Sequence, residues 1–262
     1  MHVIVTGGSS GIGLEVARQY LRSGAKVSII ARNARRLDEA RQDLERSVAA
    51  GVGRIGLVSA DVAVEAEISS AISACELTFG PCDILVASAG IVEPGLFDEQ
   101  SSAVFAGQID TNLLGTINSV RAVYSGMKIR RSGKIMIISS GAALIGIHGY
   151  SAYCASKSAL VGFAEALQAE ARSFGIQVAI CFPPDTLTPQ FEQELPKRSP
   201  EARRLMGAAA AWPADAVAAK IVSAIDRGRS KTFFGFSLTA LGWIGPLLKP
   251  ALLWWFGRET KR

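Results

Sequence analysis

A chain of 262 residues with 49% hydrophobic side chains fits one large α/β domain better than two independent ones. Its formal net charge of +5 is spread along the chain with no interleaved aromatic-basic motif, which argues against a nucleic-acid partner and leaves a modestly basic surface or a membrane preference as the milder reading. The four cysteines, Cys75, Cys82, Cys154 and Cys181, form no Cys-x-x-Cys pair, and with His2 and His148 the only histidines there is no zinc-ligand spacing; no metal is expected, and the thiols read as reduced, in a cytosolic compartment.

The first apolar run, residues 3–6, begins almost at Met1, so no signal peptide is expected ahead of the fold. It leads into Thr6-Gly7-Gly8-Ser9-Ser10-Gly11-Ile12-Gly13. Gly7, Gly11 and Gly13 allow a tight turn that brings backbone N–H groups and a helix N-terminus up to a pyrophosphate, with Ser9, Ser10 and Ile12 among the contacts. A helix is predicted over 11–23 and a second strand over 27–31. An NAD-selective protein would carry an acidic residue at the end of that strand to hold the ribose 2′-hydroxyl. Ala31 stands there instead, followed by Arg32 and, one helical turn on, Arg36, a pair suited to a 2′-phosphate; NADPH or NADP is the expected cofactor.

Further strands are predicted over 55–60, 84–88, 134–139 and 178–182, and helices over 33–49, 64–79, 152–174 and, as a pair, 101–130. Apolar runs this uniform predict strands buried on both faces, and their alternation with helices predicts a single doubly wound, Rossmann-type parallel sheet with helices on both faces. In such sheets ligands bind beyond the carboxyl ends of the strands. Asp61 and Val62 follow the third strand, Ala89 and Gly90 the fourth, Ser140 the fifth and Pro183 to Thr188 the sixth, and all are candidate site residues. Asp61 can accept from an adenine amino group or cap the next helix.

Tyr153 and Lys157 are four residues apart in a predicted helix, on one face, with Ser140 thirteen positions before the tyrosine. Cys154, about 100° around that helix, reads as filler, and His148 as an ordinary loop residue. With the glycine turn, Asn112, Ser140, Tyr153 and Lys157 in this order, the chain resembles the short-chain dehydrogenase/reductase family over nearly its whole length. The resemblance implies a carbonyl reductase. Tyr153 would donate a proton, its phenol lowered from about 10 by Lys157 and an oxidised nicotinamide. Lys157 would also hold the nicotinamide ribose, and Ser140, favoured over Ser139 by the spacing, the carbonyl oxygen. Asn112 would order a proton-relaying water, or simply bend its helix. Thr186 would offer its backbone to the nicotinamide amide, and Thr188 would meet a phosphate.

The family usually reads Pro-Gly-x-x-x-Thr after the sixth strand, whereas this chain has Pro183-Pro184-Asp185-Thr186-Leu187-Thr188-Pro189. The second proline stiffens the start of that loop. With Ala31-Arg32-Asn33 and Gln190-Phe191, the segment resembles the branch of the family that reduces 3-ketodihydrosphingosine, a long-chain lipid ketone. That likeness implies NADPH-dependent formation of dihydrosphingosine in sphingolipid synthesis. A 3-ketoacyl thioester, a steroid or a retinoid would need the same catalytic groups, and an NADP(H)-sensing scaffold is the non-enzymatic alternative. Residues 233–256 are almost wholly apolar but interrupted by Gly242, Gly245, Pro246, Lys249 and Pro250, and Trp254-Trp255 precede Arg258, Lys261 and Arg262. A catalytic domain over 1–232 and a membrane-associated tail over 233–262 are therefore expected, with burial at a subunit interface as the competing reading for the tail. The expected location is the cytoplasmic face of a membrane, the endoplasmic reticulum in a eukaryote, the inner membrane or the cytoplasm in a bacterium. The resemblance also implies a homodimer or homotetramer.

Overall fold

The structure, a computed structural model, describes residues 1–48, 51–207 and 210–259. Six strands fall where the apolar runs predict them: β1 (His2–Thr6), β2 (Lys26–Ala31), β3 (Ile55–Ser59), β4 (Ile84–Ala87), β5 (Gly133–Ile138) and β6 (Ile176–Phe182). The helices between them are α1 (Gly11–Arg22), α2 (Ala34–Ser47), α3 (Glu65–Phe79), α4 (Ser102–Ile109), α5 (Gly115–Arg130) and α6 (Ser151–Ala171). The predicted end of the second helix at Ala49 lies outside the described residues. Between α4 and α5 the chain passes through a π-helical turn, Asp110–Leu114, so the predicted pair runs on with a widened turn at Asn112.

Beyond β6 the chain adds elements that the sequence pattern does not announce. They are β7 (Thr186–Leu187), α7 (Pro189–Glu194), α8 (Pro200–Met206), β8 (Trp212–Pro213), α9 (Ala214–Asp226), β9 (Lys231–Phe233) and α10 (Gly235–Glu259). The main sheet has seven parallel strands in the order β3, β2, β1, β4, β5, β6, β9, while β7 and β8 pair separately. Strand order reverses between β1 and β4, which opens the crevice for a ligand at their carboxyl ends.

Side chains alternate along each strand into two cores. Val3 and Val5 of β1 join Val16, Leu37, Val217 and Ile221 on the face covered by α1, α2 and α9. Ile4 points the other way, into the core formed with Ile68, Val120 and Leu160 of α3, α5 and α6. Helix α1 follows the same logic, with Val16, Ala17, Tyr20 and Leu21 buried as one stripe. The edge strand β3 departs from the expected two-sided burial: it pairs only with β2, and its residues are half-buried or exposed.

The division expected between 232 and 233 falls inside β9. Phe233 stacks on Phe182 at 4.8 Å and belongs to the second core, and Phe234 belongs to the first. Helix α10 then leaves the sheet with Leu238 and Leu241 packed on the same cores. No helix among the described residues is long and apolar enough to cross a membrane. The side chains of Trp255 and Arg258, together with Lys261 and Arg262, lie outside the described residues.

Candidate active site

A cavity of about 740 Å³ opens at the carboxyl ends of the central strands. Its floor is the turn after β1, where Gly7, Ser9, Ser10, Gly11, Ile12 and Gly13 all border it. The glycines are needed for space as well as conformation. A Cβ on Gly13 would sit 2.5 Å from the Gly7 carbonyl oxygen, and Gly11, at φ +56, would bring one within 2.9 Å of Thr188 Cγ2. This backbone cradle at the start of α1 fits a dinucleotide pyrophosphate.

Arg32 and Arg36 border the same cavity beyond β2. Asn33 caps α2 by accepting from the Arg36 backbone N–H at 3.0 Å, which fixes where that helix presents its arginine. Val62, Ala89 and Gly90 also line the wall. Asp61 is not part of it. Its Oδ1 accepts from the Ala63 backbone N–H at 2.9 Å, tightening the turn ahead of α3, and its Oδ2 is 3.6 Å from the Arg32 guanidinium.

At the centre, α6 presents Tyr153 and Lys157 to the cavity beside Ser140, which follows β5. The Ser140 hydroxyl stands beside the Tyr153 phenol, close enough to favour its ionised form. Ser140 Oγ also accepts from the Ala142 backbone N–H at 3.1 Å, which fixes its rotamer at the start of a short 3₁₀ turn. The Ser139 hydroxyl donates to the Lys157 carbonyl at 3.0 Å, so it ties β5 to α6 and leaves Ser140 as the hydroxyl beside the tyrosine.

Burial dominates the electrostatics here. It pushes the Tyr153 phenol above its ordinary value, against the lowering effect of the neighbouring Ser140 hydroxyl. The expectation that Lys157 lowers this phenol is not met by the protein's own groups, because the ammonium is turned to the Ile138 carbonyl at 3.0 Å and lies 5.8 Å from the ring centroid. Desolvation in turn brings Lys157 down to about 8. The thiols of Cys75, Cys82, Cys154 and Cys181 are free, and burial raises each of them.

Asn112 is fully buried behind this site. Its Oδ1 accepts from the Ile91 N–H at 2.7 Å, while its Nδ2 donates to the Ile91 carbonyl at 2.9 Å and to Ser156 Oγ at 3.0 Å. The side chain thus clamps the loop after β4 to α6.

The cover is the segment after β6. Pro183, Thr186 and Thr188 line the cavity, and the Pro183 carbonyl accepts from the Gly141 N–H at 3.0 Å, linking this loop to the one after β5. Thr188 caps α7 by accepting from the Phe191 N–H at 3.2 Å, which leaves its O–H free to donate toward a phosphate. The Thr186 hydroxyl donates to the Pro184 carbonyl at 2.8 Å. His148 lies outside the cavity, its Nδ1 3.0 Å from Ser199 Oγ at the start of α8.

One cluster in the cover has no counterpart in the sequence reading. The Arg198 guanidinium, 2% exposed, makes two bonds to Asp185 at 2.5 and 2.8 Å and two to Glu194 Oε1 at 2.9 and 2.8 Å. The buried Tyr150 hydroxyl donates to that same oxygen at 2.6 Å, and its ring meets Tyr153 edge-on at 6.3 Å. A Glu and an Arg four residues apart form the only local signal, since Asp185 and Tyr150 reach the cluster from other elements.

A doubly wound sheet with a glycine turn at its switch point and a Ser, Tyr and Lys group at the next strand ends defines a dinucleotide-dependent oxidoreductase. The model of the family described as short chain dehydrogenase matches residues 1–199. The chain is 36% identical to a 3-dehydrosphinganine reductase of Danio rerio over 92% of its own length and 74% of that protein, and 34% identical to a 3-ketodihydrosphingosine reductase of Bos taurus over 89% and 71%. Among solved structures, actinorhodin polyketide ketoreductase with NADPH superposes with a TM-score of 0.79 at 28% identity, covering 88% of this chain and 94% of that one. The chain belongs to the short-chain dehydrogenase/reductase family.

Proposed function

We propose that this protein reduces the 3-keto group of 3-ketodihydrosphingosine to dihydrosphingosine with NADPH. The observation that carries the reading is one continuous cavity that changes character along its length. At one end stand the glycine cradle, Arg32 and Arg36. At the middle are Ser140, Tyr153 and Lys157, and beyond them the walls turn apolar with Ile145, Ile147, Leu205, Met206, Leu238 and Leu241. A long alkyl chain fits that far end, and the similarity to reductases of this substrate gives the chain its identity.

NADPH supplies the hydride when bound, held by the glycine turn, Arg32 and Arg36. Tyr153, kept protonated at neutral pH by burial, is the acid for the nascent alkoxide. Ser140 shares the carbonyl oxygen with it, an oxyanion donor whose rotamer is already set. Lys157 keeps a positive charge behind the phenol, and Asn112 holds the loop that flanks both, with a proton-relaying water as its further role.

The membrane reading rests on α10. Phe236, Trp243, Leu247 and Trp254 are 60% exposed or more and fall within about 40° of one another around the helix. Leu238 and Leu241, which line the cavity, are on the opposite side. One helix therefore faces the substrate chain on one side and offers an apolar stripe on the other, as a monotopic contact on the cytoplasmic side of a membrane requires. A homodimer or homotetramer remains the expected assembly.

NADPH oxidation by purified protein with 3-ketodihydrosphingosine, a 3-ketoacyl thioester and a steroid ketone tests the substrate. Preference for either competitor defeats the reading and leaves the chemistry standing. For the membrane, Trp243→Glu with Leu247→Glu is expected to abolish flotation with liposomes while turnover of detergent-dispersed substrate is retained; unchanged flotation would remove α10 from the contact.

A further inference from the structure

We propose that Glu194, backed by Asp185 and Arg198, is the subsite for a cationic amino group next to the ketone, and so selects an α-ammonium ketone over a neutral one. The inference rests on the proposed function and names the chemistry by which the site would recognise that substrate.

The first observation is charge. Two carboxylates, Asp185 and Glu194, share the single guanidinium of Arg198, so the cluster carries one negative charge in excess. The side chains are 16%, 10% and 2% exposed in that order, which makes the excess hard for water to compensate. Other nearby cations have partners elsewhere. Lys197 is paired with Glu93 at 2.6 Å, the Arg203 guanidinium donates to the carbonyls of Leu195, Pro196 and Arg198, and Lys157 is held at Ile138.

The second observation is direction. Asp185 and Glu194 both border the cavity. Both Asp185 oxygens are bonded to Arg198, and the three bonds received by Glu194, from Tyr150 and twice from Arg198, all end on Oε1. Oε2 is outside this network, on a residue more than nine-tenths buried. The network thus fixes the carboxylate in place and leaves it one oxygen for a ligand.

The third is position. Tyr150 spans from Glu194 to the edge of the Tyr153 ring, so the excess charge lies one aromatic ring from the proton donor. Glu194 and Asp185 are also felt at the Tyr153 hydroxyl, where both oppose its ionisation. A ketone oxygen held by Ser140 and Tyr153 would bring a substituent on the neighbouring carbon toward this carboxylate. The keto base carries its amino group on that carbon, whereas ketoacyl thioesters, steroids and retinoids offer no cation there.

The test uses the full-length protein and two ketones, 3-ketodihydrosphingosine and its N-acetyl derivative, which keeps the chain and loses the charge. A charge-assisted contact in a site of low polarity predicts that kcat/KM favours the free amine by roughly tenfold or more. In Glu194→Gln the ratio of the two kcat/KM values is expected to fall toward one, because KM for the amine rises by more than KM for the acetylated ketone, and Glu194→Asp is expected to restore part of the ratio. The ratio of the two substrates is independent of how much variant folds, and the parent protein alone already decides if the variants do not. Equal kcat/KM in the parent, or a preference unchanged in Glu194→Gln, overturns the ammonium subsite and leaves the proposed reduction intact. Reduction of neither ketone, with turnover of a steroid ketone or a thioester, overturns both.

Discussion

The glycine turn after β1 and the cover around Arg198 face each other across the same cavity, and they reach their shapes by different means. The turn is made of backbone: eight consecutive residues suffice, and its demands are steric, as the 2.5 Å approach that a Cβ on Gly13 would make to Gly7 shows. The cover is made of side chains gathered from β6 to α7 and from the start of α6, held by a buried cation. A dinucleotide is a constant ligand, and a fixed backbone serves it. The ketone is the variable partner within this family, and side chains that can be exchanged singly determine which one enters.

The sharpest way to isolate the chemistry from both regions is Tyr153→Phe. Removing the acid is expected to lower kcat about 10²- to 10⁴-fold, the usual contribution of a positioned proton donor. NADPH binding, followed by its fluorescence, should be retained because the cradle is untouched. Turnover within a few-fold of the parent would place the proton donor elsewhere.

Breaking the cover comes next. Arg198→Met leaves Asp185 and Glu194 buried without their cation, at a cost of about 3–5 kcal/mol. Thermal unfolding should shift to markedly lower temperature, and KM for the ketone should rise more than KM for NADPH. The same disruption of both constants would show that the cover and the turn are one unit.

The two regions also differ in how far they can be read from sequence. The turn, the strands with their carboxyl-terminal motifs, and the Tyr153 and Lys157 pair are legible because their partners are a few residues apart or follow a periodic pattern. Arg198 is not, since its partner Asp185 is thirteen positions away and Tyr150 bonds to Glu194 across 44. Strand β9 is hidden for another reason. It has three residues, too few for a period, and Phe233-Phe234 merge with the apolar segment that follows, although the stacking of Phe233 on Phe182 makes it part of the sheet. The direction of the Tyr153 shift is equally invisible, because burial is a property of the packed molecule.

Lys157 gives a stability test of the site's centre. Its ordinary value of 10.5 is brought to about 8 by burial. Between those values the unfolded chain binds a proton that the folded chain does not, so folding gains stability as pH rises through this window, and the full penalty is present below about 8. Lys157→Met removes the penalty and is expected to be more stable than the parent at pH 7 by about 2–3 kcal/mol, while losing activity. The advantage should shrink toward pH 10, read from denaturant midpoints across the range. A constant difference would mean that the methionine acts by packing alone.

The smallest effect expected belongs to the cofactor end. Arg32 is more than half exposed and its pairing with Asp61 at 3.6 Å is a surface contact, so Arg32→Ala should change stability by no more than about 1 kcal/mol. Its consequence is for selectivity. A charge-assisted bond to a 2′-phosphate predicts roughly a tenfold fall in kcat/KM for NADPH with little change for NADH, and Arg36→Ala in addition should deepen that fall. The preference between the amine and its acetylated counterpart should not move, because Glu194 stands beside the Tyr150 and Tyr153 rings while Arg32 is paired with Asp61, and the two share no bond. If cofactor preference and ketone preference shifted together, the division of labour between a backbone cradle and a side-chain cover would be wrong. If Arg32→Ala lowered kcat/KM for NADPH and NADH equally, the arginine would be serving the adenosine end at large rather than the phosphate that distinguishes the two cofactors.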